Sequence, residues 1–156
     1  MSKPFGIAFG AALVVILILV WTGFKSTSGN HLEPTGKIGK VRVQQVTDDI
    51  SFVVLDFNMK NDSDRNMIVR RISGTVDGVD GSAVAASDLE DAFHRYPDLG
   101  EQYNPVLKER DVLPAHQSVD RMVGIRFDLP SGKVENRKQL VLRIEDVTGP
   151  VLELTK

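Results

Sequence analysis

The sequence contains no cysteine at all. That absence removes disulfide cross-links, a thiol nucleophile, thiolate zinc and the lipid-modified cysteine of a lipobox anchor. It says little about compartment, since many proteins of oxidising spaces manage without disulfides. A dominant sign of charge is missing too: 19 Lys and Arg stand against 21 Asp and Glu, a net charge of −2 over 156 residues. Nucleic acid selects a concentrated basic face, so it is not an expected partner. Histidine is scarce, with His31, His94 and His116 far apart and no H-x-H or H-E-x-x-H pair among them. No bound metal is therefore expected. G-x-S-x-G, G-x-G-x-x-G and the P-loop are all absent, which leaves no local signature for hydrolase, dinucleotide or nucleotide chemistry. The adjacent carboxylates at Asp48/Asp49 and Glu90/Asp91 point apart along the chain and do not form a converging acid–base pair. The expectation is a protein that is not an enzyme and carries no cofactor.

What the sequence does have is one long apolar run. Residues 5–24 carry no charge, and as a helix they reach about 30 Å, the thickness of a bilayer's hydrocarbon core. Trp21 and Phe24 precede Lys25, as aromatic residues and a charged anchor do at a lipid–water boundary. Residues 1–24 are therefore expected to be an N-terminal transmembrane signal anchor. The rival is a cleaved signal peptide, for which the apolar run is long and no A-x-A site follows. Counting Lys3 against Lys25, Lys37, Lys40 and Arg42 slightly favours a cytoplasmic domain. Long domains translocate largely regardless of charge, however, and the expectation is a single-pass protein with its domain in the periplasm or outside the cell. Gly6 and Gly10 make a G-x-x-x-G step through which two such helices could pack.

Residues 25–36 are polar, with Gly29, Pro34 and Gly36 and no apolar period, and read as a flexible linker. Residues 37–156 then form the folded domain. Val41, Val43 and Val46 open an alternating segment. Over residues 50–60, Val53, Leu55, Phe57 and Met59 share one face, while Asp56, Asn58 and Lys60 share the other. Ile68, Ile72 and Val76 continue the pattern up to the turn composition Asp77-Gly-Val-Asp-Gly81, with a weak strand expected at 83–86. Ser87-Asp-Leu-Glu90 has the form of a capping box. Leu89, Ala92, Phe93 and Tyr96 share one helical face before Pro97, and this helix is expected across an open end of the sheets. Further strands are expected at 106–112, 119–129, 140–144 and 151–154. Seven or eight short strands at this spacing indicate an antiparallel β-sandwich with one short inserted helix. The turn Asp62-Ser-Asp64-Arg-Asn66 looks like half a calcium loop, but Met67 and Ser73 stand where that loop needs Gly and Glu. Asn61-Asp-Ser63 matches a glycosylation acceptor.

These segments resemble a family. The strand ending in Met59-Lys-Asn61, the Asp-Ser-Asp turn, the run 68–76, Asp77-Gly-Val-Asp-Gly81 and Leu113-Pro-Ala-His-Gln-Ser118 are similar to the FxLYD-like and late-embryogenesis-abundant (WHy-type) immunoglobulin-like sandwiches of membrane-anchored bacterial proteins. The sequence departs from them at Ala115, where Gly is usual, and at Thr75-Val76-Asp77, where Leu-Tyr-Asp is usual. The resemblance implies a non-catalytic extracytoplasmic module, with no catalytic residues to carry over. The expected partners are the bilayer, through residues 5–24, and a protein of the cell envelope. The contact surface is expected on the insertion 87–105, which combines charges with Phe93, Tyr96 and Tyr103; the alternative is that Phe93 and Tyr96 cap the core. The alternative is a carrier or chaperone holding a small apolar ligand between the sheets, which a core packed shut by Phe52, Phe57 and Phe127 would exclude. A third reading is assembly through Gly6 and Gly10.

Overall fold

The strongest two-residue period in the sequence becomes the strand with the most complete burial. In the computed structural model, which describes residues 34–156 together with the single positions Ile16 and Leu32, β2 (Ile50–Asn61) pairs along nearly its whole length on both sides. The partners are β1 (Pro34–Thr47) and β6 (Ser118–Phe127). β3 (Met67–Val76) and β4 (Val79–Ala83) form a hairpin. Its two-residue loop, Asp77-Gly78, has φ of 48° and 86°, the pairing that an Asp-Gly hairpin turn supplies. β7 (Leu140–Asp146) and β8 (Val151–Thr155) complete the order β1-β2-β6-β4-β3-β7-β8, and the two-residue β5 (Val112–Leu113) lies beside β3. Every ladder between these strands is antiparallel. The link between the halves is slight, because β4 meets β6 only at Ser82↔Arg126 and Ala83↔Ile125. The sheet curls at this link so that both halves bury their inner faces in one core.

Val53, Leu55, Phe57 and Met59 point into that core, with Val123, Ile125 and Phe127 from β6 and Leu140, Leu142 and Ile144 from β7. The strand β3 changes parity within itself. Met67 and Val69 are buried, then Ile72 and Val76, because a bulge between Val69 and Arg71 adds one residue and moves the inward set from odd to even positions. Ile68 therefore faces outward, against the simple alternation.

Several sequence expectations are corrected. Pro34, Thr35 and Gly36 are paired with Asn61, Lys60 and Met59 at the start of β1, so the linker cannot extend to residue 36. The helix α1 (Ala86–Arg95) has Ala85 as its N-cap and no side-chain capping bond. Ser87 falls inside the helix, because Val84, tied by its N–H to the Gly124 carbonyl at 3.0 Å, starts the turn two residues early. The helix also lies elsewhere than expected. It covers the outer face of β2 and β6, where Leu89, Ala92 and Leu99 pack on Phe52, Val54 and Met122. A second short helix that the sequence reading lacks, α2 (Ser131–Glu135), packs against the ends of β1 and β2 and buries Val134.

Of the strand expected at 106–112, only Val112 lies in one, at the start of β5, and Val106 makes a single parallel bridge to Met122. Leu107 donates its N–H to the Met122 carbonyl at 2.8 Å, and Arg110 donates to Val69 at 2.7 Å. The segment thus crosses from one half of the sheet to the other, and Arg110 at φ 70° breaks its extended course. The expected β4 also moves: it spans Val79–Ala83, through the proposed turn residues Asp80 and Gly81, rather than 83–86. Residues 5–24, Gly6 and Gly10, and the linker apart from Leu32 and Pro34–Gly36, lie outside the described residues save for Ile16. Among the described residues no helix is long and apolar enough to cross a membrane.

Candidate functional site

The outward row of β2 runs Phe52, Val54, Asp56. The first two are apolar because α1 covers them; Asp56 is buried because the loop after α1 covers it. Asp56 is 7% exposed and so is Arg42, its neighbour on β1. Arg42 Nη2 donates to Asp56 Oδ2 at 2.7 Å. Its Nη1 donates to the carbonyl oxygens of Leu99 (2.9 Å) and Glu101 (2.8 Å), and Asn104 Nδ2 donates to the other carboxylate oxygen at 3.1 Å. A planar guanidinium with a fixed fork of donors suits this task, where a lysine would supply only a point charge. Arg42 Nε is buried with no hydrogen-bond partner among the described residues. Arg42 thus ties the sheet to the start of the loop 99–104, and Asp56 ties it to the loop's end through Asn104.

The three aromatic residues expected at a contact surface divide. Phe93 and Tyr103 meet around Arg42, with ring centroids 5.2 and 5.7 Å from its Cζ, within cation–π range. Phe93 is half-buried and packs on the core beneath α1. Tyr103 is 62% exposed, and Lys40 Nζ lies 5.3 Å from its ring centroid. Tyr96 stands apart on a shallow groove of about 400 Å³ between α1 and the sheet, together with Val46, Phe52, Ala92, Asp88 and Arg126. Arg42, Asp56 and Asn104 were not identifiable from the sequence as one network. The available signal was Asp56, an acid in line with two large apolar residues on a face that alternation alone assigned to solvent.

The other candidates take structural roles. Asn61, 0% exposed, donates Nδ2 to the carbonyls of Arg65, Leu113 and Pro114 and accepts the Ser63 N–H and hydroxyl. Its amide nitrogen is therefore enclosed, and the glycosylation match has no accessible acceptor in the folded domain. In the acidic turn, Asp62 pairs with Lys60 at 2.6 Å and Asp64 with His116 at 2.8 Å. Among the described residues no three His, Asp or Glu side chains converge as a metal site.

Asp146 is 2% exposed. Burial pushes its pKa up, but hydrogen bonds from the Thr148 hydroxyl and the N–H groups of Thr148, Ile68 and Val147 outweigh that and hold it below its ordinary value. It fastens the start of β3 to the β7–β8 turn: its Oδ2 accepts from Ile68 N–H at 2.6 Å and Oδ1 from Thr148 N–H at 2.7 Å.

The interior leaves little room for a ligand between the halves. Phe57 and Phe127 are 2% and 0% exposed, and the Phe127 ring lies so close to Gly81 that a Cβ there would sit 2.5 Å from Cε1. Phe52, expected in this core, belongs to the outer cluster under α1 instead.

No protein-family model matches the chain, and no curated protein matches it. Among solved structures, the chain is similar to the candidate lipoprotein ycdA of Bacillus subtilis subsp. subtilis str. 168, with a TM-score of 0.50 and 11% identity over 80% of this chain. The chain spans 38% of the length of that structure. It is also similar to the archaellum periplasmic stator protein FlaG of Sulfolobus acidocaldarius, with a TM-score of 0.40 and 13% identity over 81% of this chain and 100% of that one. An uncharacterised β-sandwich protein of Clostridium difficile 630 matches with a TM-score of 0.30 and 12% identity over 80% of each chain. At these identities the likeness to ycdA concerns the fold alone: a mainly β, antiparallel, curled sheet with two helices among the described residues.

Proposed function

We propose that the chain is a membrane-anchored, non-catalytic interaction module of the immunoglobulin-like, FxLYD/WHy type, with its domain outside the cytoplasm. In this reading residues 87–105 form the surface that meets a protein partner in the envelope. The observation that carries it is the Arg42 clamp. A loop that served only to connect α1 to β5 would not require a buried arginine, an aspartate and an asparagine to hold it. Held so, it displays the Tyr103 ring and its acidic neighbours in one geometry, and a pre-ordered loop loses less entropy on binding. Extracytoplasmic placement rests on the long apolar run and on the kinship in fold with a lipoprotein-like structure. Pairing of anchors through Gly6 and Gly10 belongs to the same reading, and Gly6→Ile with Gly10→Ile would leave oligomer size unchanged if it were wrong.

Because the chain has no cysteine, Asp98→Cys offers a single thiol on the insertion. In intact cells it should react with a membrane-impermeant maleimide, and the chain should stay with membranes through an alkaline carbonate wash. Labelling only after permeabilisation would overturn the extracytoplasmic placement. Release by the wash would overturn the anchor.

A further inference from the structure

The antiparallel register gathers several segments at one end of the sheet. Pro34, where β1 starts, pairs with Asn61 at the end of β2. The turn 62–66, β5, the start of β6 and the β7–β8 turn lie at that same end, since Lys60 pairs with Ser118, Met67 with Leu113, and Val69 with Asp146. Across this end runs an outward row of apolar side chains. Ile68 pairs with Val112 on β5, and on its other side Val147 donates its N–H to the Ile68 carbonyl at 3.0 Å. Their chain neighbours Met67, Val69, Leu113 and Asp146 are buried, which turns the row outward. Val112 and Val147 are each 48% exposed, and Val151, at the start of β8, is 47% exposed. Single exposed valines need no explanation, but a cross-strand row of them does. Beside it Arg65 and Arg110 are exposed and make no ion pair among the described residues. The insertion has the opposite character, with Asp88, Glu90, Asp91, Asp98 and Glu101 against Arg95 alone.

The chain that leads to this end also limits what can cover it. Residues 25–33 separate the apolar run from β1. Fully extended they reach roughly 30 Å, so if residues 5–24 are in a bilayer, this end is the one the tether keeps near lipid. We infer that the end of the sheet at which β1 starts docks on the lipid surface, with Ile68, Val112 and Val147 among the headgroups and Arg65 and Arg110 at their phosphates. The inference rests on the anchor reading and deepens it, because docking at this end directs the acidic insertion away from the bilayer. An exposed apolar surface can sink into the headgroup boundary, and arginines beside it are attracted to anionic lipid.

The test reconstitutes the full-length chain in phosphatidylcholine–phosphatidylglycerol vesicles containing a headgroup-region spin-labelled lipid. Val147→Cys and, in a separate chain, Asp80→Cys each carry one environment-sensitive fluorophore; Asp80 lies just past the β3–β4 turn at the opposite end. Quenching at position 147 should be several-fold stronger than at position 80. It should fall toward the level at position 80 when Val112→Asp is added, or Arg65→Glu with Arg110→Glu should Val112→Asp not fold. Equal quenching at the two positions, in a chain that resists carbonate extraction, overturns the docking and leaves the anchor standing. A chain that washes off the vesicles overturns both. Disulfide-linked pairs through an unlabelled Val147→Cys, without quenching, would show a second copy on this surface and also overturn the docking.

Discussion

Replacing Arg42 with methionine preserves most of the buried aliphatic stem and removes the charge and all of its donors. Asp56, 7% exposed, then keeps Asn104 as its only side-chain partner among the described residues. Leaving one member of a buried ion pair uncompensated costs about 3–5 kcal/mol. The carbonyls of Leu99 and Glu101 also lose their donor, but the loop can turn them to water, so they add little. Loss of the cation beside Phe93 and Tyr103 adds about 0.5–1 kcal/mol. Arg42→Met should therefore destabilise the domain by at least ~3 kcal/mol, a large share of a stability of about 5–15 kcal/mol. The double change Arg42→Met with Asp56→Asn removes the orphaned charge and should be less damaging than Arg42→Met alone. Urea unfolding of the full-length chain in detergent, followed by far-UV circular dichroism, measures both. Hydrogen exchange reads the loop directly: amides over 99–104 should open about 100-fold more readily for a loss near 3 kcal/mol. A penalty below ~1 kcal/mol, with unchanged exchange at 99–104, would refute the clamp. So would a double variant less stable than Arg42→Met.

Other predictions rest on different parts of the fold. Gly81→Ala places a Cβ 2.5 Å from Phe127 and 2.8 Å from Ile125, both rigid core side chains, and should cost about 1–3 kcal/mol by the same urea titration. Asp146 titrates below its ordinary value of 3.8 in the folded state. Its ionised form thus stabilises the fold at all pH values above that, and the contribution is lost as pH falls through the lower folded value. Asp146→Asn should flatten the stability profile between about pH 5 and 3, and a profile as steep as that of the parent chain would contradict this. Asn61→Ala strands three buried or half-buried carbonyls of the 61–66 and 113–114 turns. It should lower stability by at least ~2 kcal/mol, and faster exchange should appear first at the amides of 62–67.

The mainly β class and most strand positions were legible because alternation over 50–60, 119–127 and 140–144 reports burial of one sheet face directly. Where a second layer intervenes, the same rule misleads. Phe52 and Val54 face outward and are buried anyway beneath α1, and Asp56 faces outward and is buried beneath the loop. Simple alternation places Ile68 inward, because a bulge leaves no compositional mark although it reverses which face a residue takes. The capping box at Ser87–Glu90 has the right spacing, yet the Val84–Gly124 hydrogen bond decides where the helix starts. Of the candidate contact residues, Tyr103 was legible as an aromatic residue in a polar loop. Its pairing with Arg42 was not, because 61 positions separate them and only the fold brings them together.

If the clamped insertion is the surface a partner meets, photo-crosslinking in native membranes will capture that partner there. A photoreactive residue replaces Tyr103 in one chain and the exposed Glu153 on β8 in another. Position 103 should yield a discrete protein adduct and position 153 none, and the first should be lost when Arg42→Met releases the loop. Adducts of equal yield from both positions, or an adduct from 103 that survives Arg42→Met, would contradict it.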